Sequence, residues 1–282
     1  MARRIIRNVV DDQERAFYAC RDIDFENIEI AGPADGESAF KESRDINVIN
    51  SSFSLRYSFW HNTNVTLTNC TFADTSRAAF WYDDGLVLTN VNSKGVKAIR
   101  ECSNIEINNS TFESEEFGWR SNNIKVQNSK IVGFYAFFEC KNIEIEKMEV
   151  QGKYSFQYVE NMEIRDSYLN TKDAFWHTKN VTVRNSTIIG EYLAWYSENL
   201  TLINCHIKGT QPLCYCKNLK IIDCTFEDCD LSFEYSEVNG NIIGEITSIK
   251  NPLKGKLILD SKPELIIDEN DRSNGEFEII YE

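Results

Sequence analysis

The chain has 282 residues, a formal net charge of −14 and an isoelectric point near 4.8. A surface that acidic repels phosphate backbones and anionic headgroups, which excludes nucleic acid and anionic membranes as expected partners. Four prolines and thirteen glycines are too few for a disordered or collagen-like chain, and no run approaches the ~18 apolar residues of a membrane span.

The first residues, "MARRIIRNVVDDQER", are basic but hold no apolar run long enough for a signal peptide. The chain is therefore expected to be soluble and cytoplasmic. Residues 1–21 read as an N-terminal cap and first coil. From Asp22 onward a motif returns, mostly every nineteen residues, with Asp22, Asp45, Asn64, Gly85, Asn104, Asn123, Asn142, Asn161, Asn180, Asn199 and Asn218 in one slot. Glu237 begins a worn twelfth copy, so residues 22–237 are the regular coils.

Taking that slot as position zero, each copy predicts three short elements. Asn, Asp and Gly at zero tolerate a left-handed backbone, so zero is a turn. Offsets +1 and +3 are apolar, as in Ile143 and Ile145, while +2 is polar. This period of two predicts a strand with one face inward. Offset +5 is again Asn or Asp in every copy but the one with Lys147, which makes a second turn. Offsets +6 and +8 then place a Ser or Cys and a large apolar residue inward, as in Ser110 and Phe112. A third strand is predicted at −7 to −3, with Phe17, Phe40, Phe59, Phe80, Phe137, Phe156 and Phe175 at −5 pointing in. Three short strands per nineteen residues describe a single-stranded parallel β-helix of about 12 coils, a rod of roughly 55–60 Å at ~4.8 Å per coil. The whole of 1–282 is expected to form one domain, with shorter coils and a cap over 238–282. A leucine-rich repeat would need its asparagine one residue later and a convex segment of its own.

The pattern N-[IVLM]-x-[ILV]-x-[ND]-[SC]-x-[FIL], with segments such as "AFWHTKNVTV" and "EYLAWYSENLTLINC", resembles the right-handed β-helices of the pectate-lyase-like superfamily. It resembles most closely a bacterial family of that fold whose function is undefined. The resemblance implies a right-handed coil and, as neighbours, enzymes acting on polysaccharides. It implies no catalytic residues for this chain, and fold analogy alone is a weak warrant for function.

Offset −4 holds all five tryptophans, Trp60, Trp81, Trp119, Trp176 and Trp195, together with Lys41, Arg100 and Gln157. If −5 points in, −4 points out. The polar members favour that parity, because burying an unpaired charge is costly. The inverted parity, with the tryptophans inside, is the competing arrangement. Small residues at −6, such as Ala39, Ser58, Ala79 and Ala174, would border the column and form a trough with an aromatic floor. The insertions 31–37 and 73–77 lengthen the turn entering this segment.

Such a trough suits a carbohydrate, with Trp60, Trp81, Arg100, Trp119, Trp176 and Trp195 as substrate-binding residues. Whether it is an enzyme stays open. Glycoside hydrolysis needs two carboxylates across a bond, which Asp83, Glu101 and Glu139 could supply, and a lyase needs a base such as Arg100. No phosphate loop, Ser-His-Asp arrangement or metal-ligand spacing occurs, so neither cofactor nor metal is expected. The competing function is a non-catalytic scaffold that binds protein, or another copy of itself as a homo-oligomer, through the stripe. Nine cysteines without a CxxC pair read as free thiols filling small core positions.

Overall fold

The structure, a computed structural model, describes residues 3–34, 36–273 and 275–282. Met1 and Ala2, at the start of the expected cap, Asp35 within the 31–37 insertion, and Asn274 in the C-terminal segment lie outside the described residues. The chain divides into two compact units, residues 1–143 and 144–282. Each is built from parallel β-rungs, and no helix occurs among the described residues.

In the first unit the main face stacks Arg4–Arg7, Arg21–Glu26, Arg44–Ile49, Thr63–Thr68, Asp84–Thr89, Ser103–Asn108 and Asn122–Gln127 in register. The +1 and +3 residues form continuous buried stacks, with Val65 beside Leu86 and Leu67 beside Leu88. A second face carries short strands such as Ser52–Phe53, Thr71–Phe72 and Thr111–Glu113, which bury the +8 side chains. Phe40, Phe59, Phe80 and Ile99 at −5 complete the core; Phe40, Phe59 and Phe80 stack about 5 Å apart.

The second unit repeats this build from Glu160–Arg165 through Lys179–Arg184, Glu198–Ile203 and Leu219–Glu227. Glu237–Ile243, Lys254–Leu259 and Phe277–Tyr281 continue the same pairing, with Val238 opposite Gly255 and Leu257 opposite Ile279. With these and the first rung Arg4–Arg7, the chain has about 15 rungs rather than about 12. The extra rungs hold Arg3, Lys254 and Glu276 at position zero, the slot whose Asn, Asp or Gly the smaller count rests on.

Both predicted turns are present. In the eleven copies from Asp22 to Asn218, every non-glycine residue at zero and at +5, Lys147 included, has a positive φ near 50–60°. The turn amides bond from rung to rung: Asn123 Nδ2 donates to Asn104 Oδ1 at 3.0 Å and Asn199 Nδ2 to Asn180 Oδ1 at 2.9 Å. Along +6 a second, buried series satisfies backbone donors, as where the Val91 N–H meets Ser110 Oγ at 3.0 Å.

The third strand departs from expectation. It is extended only at Phe59–Trp60, Phe80–Trp81 and Ile99–Arg100. From Gly118 onward, offsets −7, −5 and −3 are all left-handed, for example Asp173 (φ 54°), Phe175 (61°) and His177 (57°). Left-handed backbone is unfavourable for such side chains by ~1–2 kcal/mol each. Hydrogen bonds to adjacent rungs fix it: Phe175 N donates to Ser155 O at 3.0 Å and His177 N to Trp195 O at 2.9 Å.

Candidate functional site

Alternating left-handed residues remove the strict in–out alternation of a strand. From Phe40 onward offset −5 is buried, and the −4 tryptophans are half-exposed, facing outward. The small residues at −6 do not border them: Ala39, Ser58, Ala79, Ala98, Ala136, Ser155 and Ala174 are all buried. The expected small-residue wall of the trough is therefore absent, because a left-handed residue at −7 turns −6 into the core.

In the first unit the column runs Trp60, Trp81, Arg100, Trp119 on successive rungs. Trp60 and Trp81 stack with centroids 5.4 Å apart and planes 13° apart, and Lys41 Nζ sits 3.8 Å over the Trp60 ring. Trp119 stacks on Phe138 at 4.4 Å, with the Arg100 guanidinium 5.4 Å from its centroid. Arg100 is engaged by two carboxylates, Glu116 at 3.2 Å and Glu101 at 3.7 Å. Glu139 receives Arg120 Nε at 2.6 Å. Asp83 is enclosed, 1% exposed: Oδ1 accepts the Asn62 N–H at 2.7 Å while Oδ2 has no partner, and burial pushes its carboxyl well above the usual range. The structure thus places Arg100 beside Glu101, puts Asp83 behind the surface and gives Glu139 its own cation. The Nε1 groups of Trp60, Trp81 and Trp119 are buried without an acceptor.

In the second unit Trp176 and Trp195 stack at 5.3 Å with planes 3° apart. Their Nε1–H groups donate to the carbonyls of Tyr192 at 2.6 Å and Gln211 at 2.8 Å, which fixes both rings. Beside them runs a row the sequence reading passes over. Offset −3 reads Tyr158, His177, Tyr196 and Tyr215 on four successive rungs, and Tyr235, at −2 of the worn copy, extends the row to a fifth. Tyr158–His177, His177–Tyr196 and Tyr196–Tyr215 stack at 4.9, 5.0 and 4.7 Å, with planes 7–11° apart. Tyr215–Tyr235 follows at 5.9 Å, and Arg272 caps the Tyr235 ring at 4.4 Å. The same nineteen-residue column that reveals the tryptophans would have revealed this one. The charged residues that share offset −3, such as Glu101, Arg120 and Glu139, leave it unread. Burial holds the His177 pKa below the ordinary value, favouring the neutral imidazole.

Chemically, the two rows form a rigid ridge. Ring faces are turned along the rungs against one another, and the hydroxyls of Tyr215 and Tyr235 donate to Glu234 at 3.4 Å and to the Asn270 carbonyl at 2.9 Å. Two open hollows lie elsewhere. One of about 410 Å³ in the first unit is lined by Phe53, Ser54, Thr71, Phe72 and Lys94. One of about 530 Å³ in the second is lined by Glu227, Asp228, Glu245, Lys262 and Glu264. Among the described residues no three His, Cys, Asp or Glu side chains gather as a metal ion would require.

Fold and surface together define a parallel β-solenoid with an external aromatic ridge. The chain belongs to the DUF3737 family, described as proteins of unknown function, whose pattern it matches over residues 4–280. No curated protein matches it. Among solved structures it is similar to PfbA, a surface adhesin of Streptococcus pneumoniae, at 9% identity and a TM-score of 0.36, covering 94% of this chain and 79% of that one.

Proposed function

We propose that the protein is a non-catalytic binding scaffold, related in fold to the pectate-lyase-like β-helices, which engages a protein partner through the aromatic ridge of its second unit. One observation carries this reading: the ridge rings spend their faces on one another, so what they offer outward is a rigid set of ring edges, with Tyr158 and Tyr196 among the exposed ones. Tyrosine and tryptophan fixed in advance are the residues that dominate protein interfaces, because little side-chain entropy remains to be lost on binding. Carbohydrate is the competing ligand. A pyranose would have to cover a ring face, and stacking has already covered most of them. A second copy of the chain is disfavoured by the net charge of −14. The enclosure of Asp83 and the ion pairs at Arg100 and Glu139 support the non-catalytic part.

The test places a photoreactive phenylalanine analogue at Tyr196 and irradiates both the cells that make the protein and the purified protein alone. A discrete protein adduct is expected in cells, absent from the purified sample and lost when Tyr158 and Tyr215 are changed to alanine. Saturable binding to an oligosaccharide panel that Trp195→Ala abolishes would replace this reading with the carbohydrate one.

A further inference from the structure

Of the nine cysteines, two occupy the same column on adjacent rungs. Cys205 and Cys224 both stand at +6, between the paired residues Ile203–Ile222 and His206–Thr225. In-register neighbours on parallel strands lie ~4.8 Å apart, inside the ~4.4–6.8 Å range of Cα separations that a disulfide spans. The Cys205 N–H meets Cys224 Sγ at 3.4 Å, while the S–H groups reach backbone carbonyls, Cys205 that of Val183 at 3.4 Å and Cys224 that of Ile222 at 3.3 Å. Serine stands at five other positions of this column, including Ser186 on the preceding rung.

We infer that Cys205 and Cys224 are an oxidisable thiol pair, which a hydroperoxide converts into a disulfide joining adjacent rungs. Either sulfur, as the thiolate, can attack with its neighbour resolving; the case of Cys205 sets the balance. Its sulfur takes the terminal oxygen of the peroxide. The O–O bond breaks, the leaving oxygen departs with a proton, and Cys205 becomes a sulfenic acid. Cys224, deprotonated in turn, attacks that sulfur; the S–O bond breaks and water leaves. Two thiols and one hydrogen peroxide give one disulfide and two waters. Both side chains are buried, at 2% and 0% exposure, so the oxidant must be nearly as small as water.

The experiment treats native protein with hydrogen peroxide, blocks remaining thiols after unfolding, and maps tryptic peptides without reduction. Peptides 185–208 and 221–250 should appear cross-linked, two of the nine thiols should be lost, and the melting temperature should rise. In either single serine variant the remaining cysteine should stop at a sulfenic acid, which dimedone captures once the protein is unfolded, and no bridge should form. Serine already occupies this column, so both variants keep its acceptor. The proposal is overturned if all nine thiols survive, if the bridge involves Cys214, Cys216 or Cys229, or if Cys205 reaches sulfinic acid while Cys224 stays free.

Discussion

Asp83 illustrates how one rung position can be both part of the fold and sensitive to pH. It occupies −2, where neighbouring rungs use Ser43, Asn62, Cys102 and Ser121 as buried acceptors for a backbone N–H. Asp83 makes the same bond through Oδ1, which leaves a second oxygen in a dry site. Burial dominates and raises its pKa, opposed by the hydrogen bonds from Asn62 and Trp81. The folded carboxyl therefore keeps its proton above the unfolded value of ~3.9. This contribution to stability is complete below that value and is lost as pH rises through the folded one. Denaturant unfolding from about pH 4 to pH 8 should show wild type losing stability relative to Asp83→Asn, with the gap widening toward high pH. If wild type instead gains on the variant as pH rises, Asp83 is ionised and partnered.

At the scale of the rung, the asparagine ladder is the best-read feature and its one glycine the most informative break. Gly85 holds position zero with φ +80°, and a Cβ there would lie 2.8 Å from Asn64 Oδ1, the end of a movable side chain. Without an amide at 85, Asn104 Nδ2 bonds sideways to Asp84 Oδ1 at 2.6 Å. Asparagine tolerates this backbone and would restore the ladder. Gly85→Asn should stabilise by about 0.5–1 kcal/mol, chiefly by restricting the unfolded chain, while Gly85→Val should destabilise because a β-branched side chain resists positive φ. Equal midpoints for the two variants would remove the ladder from the account. The columns at +1, +3 and +8 were legible because burial along an extended strand leaves a period of two. The segment at −7 to −3 was not, because tyrosine, histidine and phenylalanine rarely signal a left-handed residue. Rung-to-rung hydrogen bonds impose that conformation on Tyr192, Ala194 and Tyr196, and no local propensity reports it. The in–out rule therefore placed Trp176 correctly and Ala174 wrongly, and left Tyr158 and Tyr196 out of the candidate surface.

Across the whole chain the cysteines follow the solenoid's demand for small inward side chains. Eight are buried and Cys20 is partly exposed, and none is bridged. Burial pushes the thiol of Cys70 up to about 11 and those of Cys140, Cys216 and Cys229 up to about 12. A thiol in that state is mostly protonated at pH 8 and therefore a poor nucleophile. The Cys205 thiol, beside that of Cys224, is held below the ordinary value instead, yet it is as enclosed as the rest. A bulky aromatic disulfide reagent needs both a thiolate and access, and Cys20 is the thiol with a share of each. Native protein kept from oxidants should thus show one fast-reacting thiol, abolished by Cys20→Ser, followed by slow release of the others at the rate of unfolding. After denaturation without reductant the total should be nine. Several fast thiols in the native state would mean that the rungs open far more readily than their packing implies, and a denatured total of seven would mean that one pair is already bridged.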